Sequence, residues 1–153
     1  MASDKVEFEL VSPERLLLSE QVDMVVVPGA EGDFGVLPRH APLISTLRPG
    51  VIRVFEGREV KNRIFVAGGF AEVTPERCTV LADEALPFSS LDRGAIEAEA
   101  RSLESEAGAL RDQAARLQGE ERDRAALDLG HCERRLAVAR AKLDALGQGV
   151  AAH

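Results

Sequence analysis

Three histidines, two cysteines and a set of evenly spaced glycines are the residues through which this chain could do chemistry. Gly29, Gly32 and Gly35 stand three apart, a spacing that can cradle phosphate when a helix follows. Here Val36-Leu37-Pro38 follows and there is no Gly-Lys-Ser/Thr ending, so nothing would aim helix-end N–H groups at an anion. The glycines read as tight corners that need unusual backbone angles. His40 lies between Arg39 and Ala41-Pro42 in a rigid turn, His131 in a polar helical stretch, and His153 at the last position. No serine or cysteine nucleophile stands in a recognisable motif beside His40, which reads as a solvent-facing turn residue that meets a partner. Cys78 and Cys132 form no CxxC and have no histidine pair at ligand spacing. They read as two reduced thiols filling small apolar positions, with a disulfide left open by the sequence. Carboxylates are plentiful, but none pairs off for acid–base work. The expectation is a chain with no catalytic, cofactor-binding or metal-binding set, one that works by contact.

The elements that must position these residues change texture near Pro87, the last proline. Before it the chain reads as eight short β runs: Val6–Val11, Val22–Val27, Phe34–Leu37, Leu43–Leu47, Val51–Phe55, Ile64–Ala67, Phe70–Val73 and Thr79–Ala82. Glycine and proline split them, and proline recurs at run ends, where a missing ladder donor does no harm. That pattern predicts an all-β sandwich or barrel. The stretch Val25–Gly50 holds four glycines and four prolines and reads as a scaffold for tight corners with a turn at one end.

After Pro87 the period becomes helical. Ile96, Ala100, Leu103, Ala107, Leu110, Ala114 and Leu117 form one apolar seam, and Ala125, Leu129, Cys132, Leu136, Ala139, Leu143 and Leu146 a second. Ser89 or Ser90 is the expected cap of the first helix, with Asp92 in its first turn. Gly119 is the expected point of reversal. The fold class is therefore α+β by segregation: an N-terminal β-sandwich over residues 1–87, then an antiparallel two-helix hairpin over 88–153. Its helices fall at about 91–117 and 121–146, each roughly 40 Å long at 1.5 Å per residue. The seams mix leucine with alanine, and Gly94, Gly108 and Gly130 interrupt them. The hairpin should be only modestly stable, because a buried alanine contributes much less than the about 1.5–3 kcal/mol of a buried leucine.

Charge bounds the partners. The net charge of −7 and the absence of Trp and Tyr leave no basic footprint and few stacking platforms, so nucleic acid is not an expected partner. The N-terminus lacks a signal-peptide h-region, and runs such as Leu16-Leu17-Leu18 fall far short of the roughly 18 residues of a membrane span, so no direct membrane insertion is expected. Asp92 to Glu106 holds five acids against two arginines, whereas His131 to Lys142 sets Arg134, Arg135, Arg140 and Lys142 against Glu133. The basic end of the second helix suits an acidic partner surface; a plain solvated face is the other reading.

An ordered set of motifs carries a family resemblance. It comprises Phe8-Glu9-Leu10-Val11-Ser12-Pro13-Glu14-Arg15, Val27-Pro28-Gly29, Gly32-Asp33-Phe34-Gly35-Val36-Leu37-Pro38, His40-Ala41-Pro42-Leu43 and Leu47-Arg48-Pro49-Gly50. Val66-Ala67-Gly68-Gly69-Phe70-Ala71-Glu72-Val73 and Val80-Leu81-Ala82-Asp83 complete it. Across residues 8–83 the chain resembles the epsilon subunit of F-type ATP synthase; the helical half matches in length and architecture. The resemblance implies a ten-stranded sandwich and a non-catalytic rotor subunit at the cytoplasmic face of the bacterial inner membrane. It would bind the gamma subunit, rest on the c-ring and help couple both to the catalytic alpha/beta hexamer. It places Asp33 at the c-ring end and His40 in the same rotor-facing region. It also implies a hairpin that can extend along gamma and impede ATP hydrolysis, with Arg134, Arg135, Arg140 and Lys142 meeting the beta subunits. Some relatives bind ATP through a motif like I/L-D-x-x-R-A. Here Leu91-Asp92-Arg93-Gly94-Ala95-Ile96 has Ala95 in place of the arginine, so ATP binding is expected to be absent or weak. A second reading is a free-standing β-sandwich binding module with a coiled-coil interaction tail, although the short link at Gly119 favours a hairpin within one chain.

Overall fold

The computed structural model describes residues 4–151, and their side chains as far as Gln148. The chain divides into two compact units, with the boundary between Ser90 and Leu91.

Among the described residues of the first unit ten strands run in the order β1 (Val6–Val11), β2 (Leu16–Val22), β3 (Met24–Gly29), β4 (Gly32–Val36), β5 (Leu43–Leu47), β6 (Gly50–Glu56), β7 (Glu59–Val66), β8 (Gly69–Val73), β9 (Arg77–Ala82) and β10 (Ala85–Pro87). Their ladder follows the path β10-β7-β6-β3-β5-β8-β9-β1-β2, with β4 paired to β3. Pairing is antiparallel except between β1 and β9. The path folds over at β3 and β5, which share only the pair Gly29↔Leu47. The two layers so formed close on a core that includes Phe8, Leu10, Val25, Val27, Ile52, Val54, Ala71 and Val80. Strict alternation in β1, with Val6, Phe8 and Leu10 inward, is the period-two signature of a half-buried strand. Gly69 has φ +139, and a Cβ there would lie 2.0 Å from the Leu81 carbonyl oxygen, so the β8–β9 crossing admits only glycine.

The strand pattern predicts eight runs, and the structure adds two. β2 is an edge strand whose sequence LLLSEQV does not alternate, so it lacks the signature of a one-sided strand. β10 is three residues long and ends in Pro87. The expected run Val22–Val27 is also two strands, broken at Asp23. There the chain turns from one layer to the other, and the Asp23 N–H donates to the Phe55 carbonyl at 3.1 Å. The Asp23 carboxylate accepts the Gly57 N–H from the β6–β7 turn and pairs with Lys5 at 3.2 Å.

The second unit is an antiparallel pair, α1 (Arg93–Arg116) and α2 (Gly119–Ala151). The cap is Asp92, whose side chain accepts the Ala95 N–H at 3.3 Å, rather than Ser89 or Ser90. A 3-10 turn over Phe88–Ser90 comes first, and the Ser90 hydroxyl donates to the Pro87 carbonyl within it. Gly119, with φ +66, opens α2, which runs past the expected end through Gly147 to Ala151. Ile96, Ala100, Leu103 and Ala107 pack against Cys132, Leu136 and Ala139, so the predicted seams do meet. Cys132 donates its thiol to the Leu103 carbonyl at 3.3 Å, and Cys78 is buried in the sandwich, which pushes its thiol up to about 12. The two thiols are free and lie in separate units.

The Gly57 hydrogen bond, and then Lys5, hold the Asp23 carboxyl below its ordinary 3.8. A depressed folded-state pKa stabilises above the unfolded value, and that contribution is lost as pH falls through the folded one. Asp23→Asn should therefore lower the melting temperature at pH 7, and the difference from the parent chain should shrink below pH 3.8. Thermal melts across pH 2–7 check this; a difference independent of pH would contradict it.

Candidate functional site

Asp33 lies in β4 opposite Pro28, beside a two-residue connection (Ala30-Glu31) closed by the pair Gly29↔Gly32. Its carboxylate is taken up within the chain. Arg48 forks between the Asp33 carboxylate and the Gly29 carbonyl, and Arg53 stands 3.7 Å from the other carboxylate oxygen. The Arg48 N–H donates to the Pro28 carbonyl and the Ala30 N–H to the Thr46 carbonyl, each at 2.9 Å. A Cβ on Gly29 would lie 2.7 Å from the Gly32 carbonyl oxygen, so glycine lets the corner close this tightly. The tip is a pinned backbone loop that presents Ala30 and Glu31 to solvent.

His40 occupies a second rigid turn. Arg39 has φ 65, its N–H donates to the Pro75 carbonyl at 2.8 Å, and the His40 N–H donates to the Leu37 carbonyl at 3.2 Å. The His40 ring nitrogen Nδ1 lies 2.7 Å from the Ala41 carbonyl oxygen. The structure does not bring Asp33 and His40 together. Leu43 pairs with Val73 at the start of β5 and Leu47 with Gly29 and Gly69 at its finish. His40 precedes the first end and Arg48, which holds Asp33, follows the second. A strand of this length separates its ends by roughly 13 Å. The two residues therefore stand by opposite ends of β5.

An apolar face was missed altogether. The register runs Thr46↔Phe70, Phe70↔Leu81, Leu81↔Val11 and Val11↔Leu16, one continuous row across β5, β8, β9, β1 and β2. All of these point away from the core, since their strand neighbours Leu47, Ala71, Val80 and Leu10 point into it. Phe70 is 54% exposed, Leu81 49% and Leu16 55%, and Ile44 on the same face is 73% exposed. The next row starts at Ile44 on β5 and is otherwise polar: Glu72, Thr79, Glu9 and Ser19, with Arg77 bridging Glu7 and Glu9 at 3.2 and 3.1 Å. An exposed apolar stripe with a charged rim is the signature of a protein-docking surface. The signal in the sequence is the apolar residue at a position where alternation calls for a polar one, as in Val80-Leu81-Ala82.

In the hairpin the basic residues are engaged. Arg135 stands 3.8 Å from Glu99 and Arg140 3.1 Å from Glu104, both across to α1. Arg134 reaches the Nδ1 of His131 at 2.7 Å, and Lys142 is half-buried. Both cross-helix pairs are well exposed, so each contributes about 0–1 kcal/mol. His153 lies outside the described residues. Among the described residues no cluster of histidine, cysteine or carboxylate groups converges as a metal site, and no helix is long and apolar enough to cross a membrane.

Residues 5–88 match the family described as ATP synthase, Delta/Epsilon chain, beta-sandwich domain. The chain is 50% identical over 144 residues to an ATP synthase epsilon chain of Rhodospirillum centenum, covering 93% of this chain and 92% of that one. It is 67% identical over 96 residues to the ATP synthase epsilon chain of Rhodospirillum rubrum, covering 63% and 72%. In fold it is similar to a chain in the structure of Euglena gracilis mitochondrial ATP synthase, OSCP/F1/c-ring in rotational state 1. There the TM-score is 0.67 at 23% identity, over 94% of this chain and 82% of that one.

Arg48 makes more contacts at the tip than Asp33 does. Arg48→Ala should cost about 1 kcal/mol and speed amide exchange across residues 28–35, while Asp33→Asn costs less because the Gly29 contact survives. Amide exchange on both variants reads this out; equal effects would contradict it.

Proposed function

The chain belongs to the delta/epsilon-chain family of ATP synthase, and from that membership we propose a division of labour between its two units. The sandwich is the docking unit. It carries no catalytic role of its own and binds the gamma subunit through the outward apolar row, with the complex at the cytoplasmic face of the bacterial inner membrane. The observation that supports this is Phe70, Leu81 and Leu16 exposed in one cross-strand line. Asp33 and His40 are rotor contacts at the two ends of β5. The Asp33 end, stiffened by Arg48, faces the c-ring. Stiffness suits that task, because torque passing through a soft loop would be lost in bending it.

The hairpin is the regulatory unit. Extended along gamma, it would offer Arg134, Arg135, Arg140 and Lys142 to the acidic surface of the beta subunits and impede ATP hydrolysis. Glu99 and Glu104 hold two of these residues within the hairpin and would have to release them. ATP binding by the hairpin is weak or absent. At the start of α1, Ala95 supplies no guanidinium, and the Asp92 side chain accepts the Ala95 N–H as the cap. Calorimetric titration of the full chain should show no binding at sub-millimolar ATP; a clear isotherm there would overturn this.

Phe70→Asp with Leu81→Asp tests the docking face. Each side chain is about half exposed, so the sandwich core stays intact while binding loses the burial of both exposed halves. That is about 2–3 kcal/mol together, or roughly a hundredfold in Kd for gamma. Titration of the variant against gamma measures it, and an unchanged Kd would move the interface elsewhere.

A further inference from the structure

Among the described residues the ladder path begins at β10 and ends at β2, and these two strands lie on either side of one groove. β2 ends the ladder path on one side and pairs only with β1 among the described residues; β10 ends it on the other. Between them lies a cavity of about 400 Å³, lined by Pro13, Glu14 and Leu17 from one side and Asp83, Glu84 and Ala85 from the other. Farther along, the seam is crossed by a side-chain pair, Lys61 on β7 with Glu20 on β2 at 3.2 Å. Both walls are fixed. Ser12 and Arg15 exchange backbone hydrogen bonds at 2.9 and 3.3 Å, while Asp83 donates to the Gly68 carbonyl at 3.0 Å and Ala67 to the Glu84 carbonyl at 2.9 Å.

We propose that this seam receives an extended segment of the polypeptide that docks on the apolar row, pairing its backbone with the free edge of β2 and setting a basic side chain among Glu14, Asp83 and Glu84. The inference rests on the docking reading above and adds the mode of recognition to it. Three observations carry it. The first half of the edge is apolar and uncovered by any pair like Lys61 with Glu20: Leu16 is exposed, and Leu17 and Leu18 are only partly covered against the core. Free-standing sheets blunt such edges with lysine, proline or a covering element, and β2 itself carries neither of those residues. The apolar row ends on Leu16, the first residue of that same edge, so a partner covering the row arrives at the seam. Three carboxylates stand at the groove against Arg15 alone, which selects a cation. Strand addition then supplies the affinity through the main chain and the groove supplies the choice of side chain.

Hydrogen exchange of the full chain, alone and with gamma, tests this. The expected result is that β2 amides facing away from β1 slow by roughly a hundredfold in the complex, since those edge donors gain partners. Glu14→Lys with Glu84→Lys should weaken gamma binding roughly tenfold and leave the melting temperature unchanged, because both side chains are exposed. If Phe70→Asp/Leu81→Asp weakens the complex while β2 exchanges at its free rate and the charge reversal has no effect, the docking reading stands and the seam proposal falls. If the chain alone protects β2 as its concentration rises, the occupant is a second copy, and the proposal is overturned. If no complex with gamma forms, both readings fail together.

Discussion

The sandwich depends on the single residue pair Gly29↔Leu47, where the sheet folds from one layer onto the other. Every other neighbouring pair of strands shares a longer ladder. At this point β3 and β5 touch once, so the angle between the layers is set by what surrounds the contact. Gly29 offers no side chain, which lets the Gly32 carbonyl approach to a distance a Cβ would forbid. Arg48, one residue past β5, then reaches back to the Gly29 carbonyl and the Asp33 carboxylate. One guanidinium thus ties the end of β5 to the β3–β4 tip on the far side of the fold. That makes the tip a rigid projection of the core rather than a surface loop.

The same fold-over exposes the apolar row. Once β5, β8, β9, β1 and β2 form a layer whose inner face is filled by Phe8, Leu10, Ala71 and Val80, the outer face must show whatever the alternate positions carry. In most of the layer these are polar. Along one row Phe70, Leu81, Val11 and Leu16 are apolar, and Phe70, Leu81 and Leu16 stay about half exposed. Rigidity and stickiness therefore sit in one unit, whereas the second unit rests on a thinner seam of alanine and leucine with exposed ion pairs. Its core is small, and four of its buried members are alanine or cysteine.

Much of this was legible in the residues. The change of period at Pro87, the alternation of β1, the two helical seams and the opposed charge of the segments 92–106 and 131–142 all follow from local pattern. β2 and β10 did not, because an edge strand with three leucines in a row and a strand of three residues carry no period to detect. The Asp33–Arg48 contact spans 15 positions in sequence and exists only once β5 returns to β3. The apolar row is a tertiary object as well. Phe70, Leu81, Val11 and Leu16 come from four strands, and each alone looks like a core residue. Asp92 as the cap turned on a short 3-10 turn that the serine-rich stretch concealed. His40 sits in a rigid turn as its neighbours suggested, but the left-handed residue there is Arg39, for which nothing in the sequence gives notice.

The central claim is that the first unit docks and the second regulates. It is tested most directly by a chain ending at Ser90, which keeps the whole sandwich core and removes α1 and α2. Titrated against gamma, and assembled into the complex for an ATP hydrolysis assay, it should bind with the Kd of the full chain and give a faster rate of hydrolysis. Loss of gamma binding would contradict the docking role of the sandwich, and an unchanged rate would contradict the regulatory role of the hairpin.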